Sequence, residues 1–204
     1  AVAISGSRAE ATAALVTSGS LVEVSDAAVT INDADGVALN ATDLSAIGAK
    51  TTGTVTVTNA VAISGSRAEA TAALVTSGSL VEVSDAAVTI NDADGVALNA
   101  SDLSAIGAKT TGTVTVTNAV AITGSRAEAT AALVTTATLV EVSDAAVTIN
   151  DADATALNAS DLSAIGAKTT GTVTVTNAVA ISGSRAEATA ALVTSGSLVE
   201  VSDA

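Results

Sequence analysis

The 204-residue sequence contains no Phe, Trp, Tyr, Met, Cys, His or Pro. Without His, Cys and Tyr the chain has no imidazole base, thiolate or phenol, the groups that most often serve acid–base and nucleophilic catalysis. Thiolate and imidazole metal ligands are missing for the same reason. We therefore expect a protein that is not an enzyme and that has no cofactor, with calcium as the one possible exception.

Positive charge is also scarce, with 7 Lys and Arg against 21 Asp and Glu and a net charge of -14. This charge repels phosphate backbones and anionic lipid headgroups, and no apolar run approaches the roughly 20 residues of a membrane span. We expect no nucleic-acid partner and no membrane insertion. The acidic, Ser- and Thr-rich composition favours an extracellular or cell-surface location, with any targeting signal outside this sequence.

What the sequence does contain is a tandem repeat. Residues 1–59 return almost unchanged at 60–118 and 119–177, and a partial fourth copy occupies 178–204. The first two copies differ only at Thr42 and Ser101. We interpret the chain as one continuous array, either a piece of a longer one or an array that the partial copy caps.

Each copy divides into two half repeats of similar layout. The segment LVEVSDAAVTI (21–31) matches TVTVTNAVAI (54–63), and each is followed by a short segment with helix-start signals. Ser7 and Glu10 have the spacing of a capping box, and Asn40 or Thr42 can cap the second helix. These signals predict two strands, a corner between them and a short helix in every half repeat.

Within the predicted strands, apolar and polar residues alternate, which indicates one buried and one outward face. The apolar positions of one copy are Val22, Val24, Val29, Ile31, Val55, Val57, Val61 and Ile63. Asp26 and Asn59 mark the corners, because Asp and Asn tolerate the backbone of a sharp turn. Gly6, Gly48 and Gly53 are kept in all full copies and predict positive φ or close approach. Copy three has Ala137 and Ala154 in place of Gly19 and Gly36. We therefore expect neither positive φ nor close approach at Gly19 or Gly36.

A half repeat is too small to enclose a core by itself, but stacked half repeats bury each Val and Ile row against the next. The sequence therefore predicts a repeat protein, a parallel β-solenoid with short helices on one side and two coils per 59-residue repeat. An intertwined homotrimeric β-rod with shared thin cores is the alternative. Exposed strand edges predict self-association of the chain end to end.

Three motifs suggest more specific roles. The segment INDADG (31–36) is similar to the kernel of calcium loops, which predicts either calcium sites or a solvated polar turn; the candidate ligands are Asp33, Asp35, Asp92, Asp94, Asp151 and Asp153. The triplets beginning at Asn40, Asn99 and Asn158 fit both the N-glycosylation sequon and a helix cap. Arg8 lies at a helix N-terminus, where a carboxylate from a neighbouring coil is the expected partner.

The segments LSAIGAKTTGTVTVTNAVAISGS and LVEVSDAAVTI resemble the Thr-Thr-Gly-Thr-Val-Thr repeats of giant tandem-repeat cell-surface proteins of marine cyanobacteria and other bacteria. The resemblance implies a structural segment of an extracellular surface stalk or filament. One alternative function is an adhesin shaft that binds calcium or glycans along its acidic face. Another is a designed repeat scaffold without a natural function, which the near-identity of the copies permits.

Overall fold

The computed structural model describes residues 2–17, 19, 22–194, 196 and 199–202. Short helices alternate with short strands along this part of the chain. The helices are α1 Arg8–Leu15, α2 Ala41–Gly48, α3 Arg67–Leu74, α4 Ala100–Gly107, α5 Arg126–Leu133, α6 Ala159–Gly166 and α7 Arg185–Leu192, with a 3₁₀ turn at Thr136–Thr138.

The strands are three or four residues long. They are β1 Ala3–Gly6, β2 Ala28–Ile31, β3 Ala38–Asn40, β4 Val55–Val57, β5 Ala62–Gly65, β6 Val81–Val83, β7 Ala87–Ile90, β8 Ala97–Asn99, β9 Val114–Val116, β10 Ala121–Gly124, β11 Val140–Val142, β12 Ala146–Ile149, β13 Ala156–Asn158, β14 Val173–Val175, β15 Ala180–Ser182 and β16 Val199–Val201. The fold is thus of the α/β type.

The chain divides into two compact units, residues 1–91 with 108–114 and residues 92–107 with 115–204. This division does not coincide with the repeat boundaries at 59 and 118. In the first unit, one sheet has the order β1-β2-β4-β6, and a second sheet contains β3, β5 and β7 in that order. In the second unit, one sheet has the order β8-β10-β12-β14-β16, and β13 pairs with β15.

All registered strand pairs within these sheets are parallel, as expected from the sequence. Val29 lies opposite Val55, and Val55 lies opposite Val81, so that apolar residues face apolar residues along the sheet. Thr30 and Thr56 form the adjacent polar row. Each strand therefore pairs with the strand that lies about one half repeat further along the chain.

The interior consists of aliphatic side chains, and no polar or charged residue in the described part of the chain is buried. The predicted inward residues Val29, Ile31, Val55, Val57, Val61 and Ile63 are all at most 2% exposed. The prediction was wrong for Val22, which is 52% exposed, whereas its equivalents Val81 and Val140 are buried. In the first copy, residues 22–24 form no strand.

Serine capping boxes begin four of the helices, as predicted. Ser7 Oγ accepts the backbone N–H of Glu10, and the Glu10 carboxylate accepts the backbone N–H of Ser7. The same reciprocal bonds occur at Ser66, Ser125 and Ser184. Each of these helices has only 8 residues, so packing must supplement the caps. Leu15 at the end of α1 and Leu44 in α2 are fully buried.

Glycine allows close backbone approach at two of the three predicted positions, Gly48 and Gly53, whereas a Cβ at Gly6 would meet only the Glu10 side chain. A Cβ on Gly48 would clash with the carbonyl of Ser79, and one on Gly53 would clash with the carbonyl of Ala27. At Gly65, the equivalent of Gly6, a Cβ would lie 3.0 Å from the Cβ of Ala41. At positions 48 and 53, any residue with a Cβ would therefore force a neighbouring backbone segment to move.

The prediction for Gly36 was wrong. Gly36 has φ 74° and Gly95 has φ 75°, both in the left-handed region that favours glycine. Their equivalent in the third copy, Ala154, adopts φ 63° despite its side chain. The turn therefore keeps its left-handed backbone in copy three, although alanine at this position indicated otherwise in the sequence.

Candidate functional site

The predicted calcium residues lie in a turn, residues 32–36, that contacts the segments before and after it. We call this segment the acidic turn. The Asp33 carboxylate accepts the backbone N–H of Arg8, the first residue of α1, at 2.5 Å. The Asp35 carboxylate accepts the backbone N–H of Ala60 at 3.1 Å. Each carboxylate thus satisfies a backbone donor in a different part of the chain.

Main-chain groups of the acidic turn take part in the same contacts. The Asn59 side-chain amide donates to the Asp33 carbonyl oxygen at 2.6 Å. The Gly36 N–H donates to the Ala60 carbonyl oxygen at 2.8 Å. The turn is therefore fastened to the corner at 59–60 by side-chain and backbone bonds together.

The other copies repeat this arrangement. Asn118 and Asn177 donate to the carbonyl oxygens of Asp92 and Asp151, each at 2.6 Å. The carboxylates of Asp94 and Asp153 accept the N–H groups of Ala119 and Ala178. Asp151 also accepts the N–H of Arg126 at 2.6 Å, as Asp33 does that of Arg8. The acidic turn is thus a structural feature of every full copy.

The structure brings Asp33 and Asp35 together in one turn but gives each carboxylate a separate backbone partner. Within the described residues, no group of three or more acidic side chains is arranged to hold a metal ion. Calcium binding by Asp33, Asp35, Asp92, Asp94, Asp151 and Asp153 stays a prediction. The partners of these carboxylates could not be predicted, because they are backbone N–H groups 25 residues away, which no residue type marks.

The predicted carboxylate partner of Arg8 is Asp43, in the first turn of α2. The Arg8 guanidinium lies 3.0 Å from the Asp43 carboxylate, and the two side chains are 28% and 29% exposed. Arg126 and Asp161 form the same pair at 2.9 Å. The carboxylate also lies near the N-terminus of its own helix, where the helix dipole favours negative charge. The pair connects two successive helices.

Hydrogen bonds lower the pKa values of the capping-box glutamates. Hydrogen bonds from the backbone N–H and hydroxyl of Ser7 lower the pKa of the Glu10 carboxyl below its ordinary value. For Glu69, the Thr42 hydroxyl is the largest cause of the lowered pKa, and it donates to the carboxylate at 2.7 Å. These groups act as helix caps, and none of them lies in an enclosed site.

Asn40 and Asn158 occupy the N-cap positions of α2 and α6, but neither side chain makes a cap hydrogen bond. Both residues are exposed. The capping role that the sequence allowed for Asn40 is therefore not fulfilled by its side chain. The amide of Asn158 instead lies 3.4 Å from the Asp161 carboxylate, at the outer limit of a hydrogen bond.

Shallow grooves, which the sequence analysis did not anticipate, recur beside the VEV segments. One groove, of about 270 Å³, lies next to β6 and is lined by residues that include Gly48, Thr52 and Glu82. Two further grooves, which are equivalent to each other but not to the first, adjoin Glu23 with Lys50 and Glu141 with Lys168. Each lining contains one acidic residue; hydroxyl side chains join it in the first groove, and a lysine joins it in the other two.

Comparison of the chain with protein-family models, with characterised proteins and with solved structures gave no significant match. None of the described helices has the length and apolarity needed to cross a membrane. The interpretation of function therefore rests on the repeat and on the contacts between its copies.

Proposed function

We propose that the chain is a structural repeat segment of an extracellular bacterial surface stalk or filament. In this proposal the 59-residue copies stack as a parallel β-solenoid with two coils per copy. The location and the bacterial origin rest on the resemblance of the TTGTVTVT segments to cell-surface repeats and on the acidic, Ser- and Thr-rich composition.

The observation that carries the proposal is the acidic turn. Its Asp33 carboxylate accepts a backbone N–H from the preceding half repeat, while its Asp35 carboxylate accepts one from the following half repeat. The Asp35 bond recurs at Asp94 and Asp153, and the Asp33 bond recurs at Asp151, so the chain repeats these connections between successive segments. These repeated hydrogen bonds between neighbouring half repeats support a role in which the chain holds an elongated array together.

Threonine side chains add to these connections. Thr51 Oγ1 donates to the Ala27 carbonyl oxygen at 2.7 Å, and Thr110 and Thr169 make the same bond one and two copies later. The Thr51 hydroxyl also accepts the N–H of Gly53. Side chains that the composition offers as nucleophiles are therefore engaged in joining segments, which supports a structural function over catalysis.

The test compares arrays of different length. Arrays with four, eight and twelve full copies are expected to lengthen by about 10 Å per added copy, since two coils add two strand spacings. Electron microscopy and small-angle scattering measure this increment. Lengths that do not increase in proportion to the number of copies, as for folded domains joined by flexible linkers, would contradict the solenoid.

The location requires a separate measurement. Antibodies raised against the 204-residue chain are expected to label intact cells of the source organism, and protease added outside the cells should remove the label. Labelling only after the cells are permeabilised would contradict the extracellular location while leaving the array geometry untouched.

A further inference from the structure

Each full copy contains Asn in two Asn-Ala dipeptides with different continuations. Asn40, Asn99 and Asn158 are followed by Ala and then by Thr42, Ser101 and Ser160, which completes the Asn-X-Ser/Thr sequon. Asn59, Asn118 and Asn177 are followed by Ala and Val and lack the hydroxyl residue. The chain thus provides an internal comparison between sequon and non-sequon asparagines.

The non-sequon asparagines are engaged in the structure. The amide nitrogens of Asn59, Asn118 and Asn177 each donate at 2.6 Å to a carbonyl oxygen of an acidic turn. All three residues are half-buried. A large substituent on such a nitrogen would displace the acidic turn from the corner that it contacts.

The sequon asparagines have a different environment. Asn40, Asn99 and Asn158 are exposed, as are the hydroxyl residues two positions later. Asn40 and Asn158 make no side-chain cap bond, and the amides of Asn99 and Asn158 have only the 3.4 Å contacts to Asp102 and Asp161. A side-chain cap bond therefore does not account for asparagine at positions 40 and 158.

The sequon asparagines also share a place in the sheets. Asn40 ends β3, Asn99 ends β8 and Asn158 ends β13, and each of these is the outer strand of its sheet. Outer strands are the sites at which sheets of different molecules can pair and aggregate. A hydrophilic substituent at the end of β3, β8 and β13 would hinder such pairing there, so that the predicted end-to-end association would use outer strands without a sequon, such as β1 and β16.

We propose that Asn40, Asn99 and Asn158 are attachment sites for N-linked oligosaccharide. The donor is an oligosaccharide linked through pyrophosphate to a lipid. In the transfer, a bond forms between Asn Nδ2 and sugar C1, the bond from C1 to the pyrophosphate oxygen breaks, and Nδ2 loses one proton to the transferase. The lipid pyrophosphate leaves with the electron pair. The inference rests on the proposed extracellular location and not on the proposed bacterial origin, because the chain must reach the compartment where the donor is presented.

The experiment translates the full chain, preceded by a cleavable signal sequence, in the presence of microsomes that contain a eukaryotic oligosaccharyltransferase. Removal of the signal sequence and protection from added protease show translocation independently of glycosylation. We expect three steps of added mass on the translocated chain, one for each attached oligosaccharide. Peptide N-glycosidase should remove all three. The variants Thr42→Ala, Ser101→Ala and Ser160→Ala, which keep the asparagines, should each lose one step.

The matched control is Asn59→Gln, which should keep all three steps. A translocated chain that lacks a step at one of the three sequons overturns the assignment of that residue, and a chain without any step overturns the proposal. The glycosylated chain should also retain the far-ultraviolet circular dichroism of the unmodified chain. Loss of that signal would contradict attachment at exposed positions. Because the assay supplies its own signal sequence, failure of surface labelling on cells would not change its result.

Discussion

At the residue scale, the three copies of the acidic turn differ where copy three replaces a glycine. Ala154 has φ 63°, close to the 74° of Gly36 and the 75° of Gly95. A residue with Cβ is disfavoured in this region because Cβ approaches the backbone carbonyl. The third copy therefore retains the turn at an energetic cost that the first two copies avoid.

This difference predicts opposite effects for two reciprocal substitutions. Ala154→Gly should raise the free energy of unfolding by about 1 kcal/mol, and Gly36→Ala should lower it by about the same amount. Urea denaturation of the full chain measures both changes. Gly78→Ala is the control, since a Cβ at Gly78 meets nothing within 4 Å. A gain in stability for Gly36→Ala would contradict the left-handed requirement.

The capping boxes predict a dependence of stability on pH. Bonds from the serines lower the pKa of Glu10, Glu128 and Glu187, and the Thr42 hydroxyl with Ser66 lowers that of Glu69. A carboxyl whose pKa is lower in the folded state contributes stability above its unfolded pKa of about 4.3. That contribution is lost as the pH falls through the folded-state pKa values.

Replacing Glu10, Glu69, Glu128 and Glu187 together by Gln should therefore reduce the loss of stability between about pH 5 and pH 3. Thermal denaturation across this range provides the measurement. The matched control replaces four glutamates outside the capping boxes by Gln and so removes the same amount of charge; these are Glu23, Glu82, Glu141 and Glu200. An equal change in both variants would assign the pH dependence to net charge instead.

At the element scale, the strands combine a buried aliphatic face with an outward threonine face. Val57 is 2% exposed, and the preceding residue Thr56 is half-buried in the polar row opposite Thr30. Val57→Asp should lower the free energy of unfolding by several kcal/mol, because it places a charge in an aliphatic layer. Thr56→Asp adds the same charge to the outward face and should cost much less in urea denaturation. Equal losses would mean that the two faces are reversed.

The acidic turns provide a test of the calcium prediction. If Asp33 and Asp35 bind calcium with their equivalents, calcium chloride should raise the melting temperature more than sodium chloride at equal ionic strength, because ligation adds to screening. A variant with Asp35, Asp94 and Asp153 all replaced by Asn should show the same increase in melting temperature with both salts. Equal increases with both salts would identify the turns as structural connections only.

Local patterns were sufficient to predict several elements. The Ser7–Glu10 spacing located the capping boxes, and the Val and Thr alternation located the buried rows. The strand β3 was missed because it has only three residues. Its single buried side chain, Leu39, is too little to establish an alternating pattern. The partner of Asp33 was missed for another reason. It is a backbone N–H of a distant helix, and a backbone donor leaves no mark in the residue types.

At the scale of the whole molecule, self-association end to end stays a prediction. The net charge of -14 opposes contact between copies of the chain. Light scattering should therefore show a mass that increases with protein concentration, and increases more strongly at high salt, where the repulsion is screened. A monomer mass at all concentrations and salt levels would contradict the prediction.

The regular offset between paired strands has a consequence for how such a gene can change. Because each described strand in the two units pairs with one about a half repeat away, gain or loss of a whole 59-residue copy by recombination between near-identical DNA segments preserves these pairings. An insertion of a single codon within a strand would instead move its valines to the outward face. Selection on the fold thus tolerates changes in length by whole copies and acts against insertions within strands, so that descendants of this array can differ widely in length while their strands remain alike.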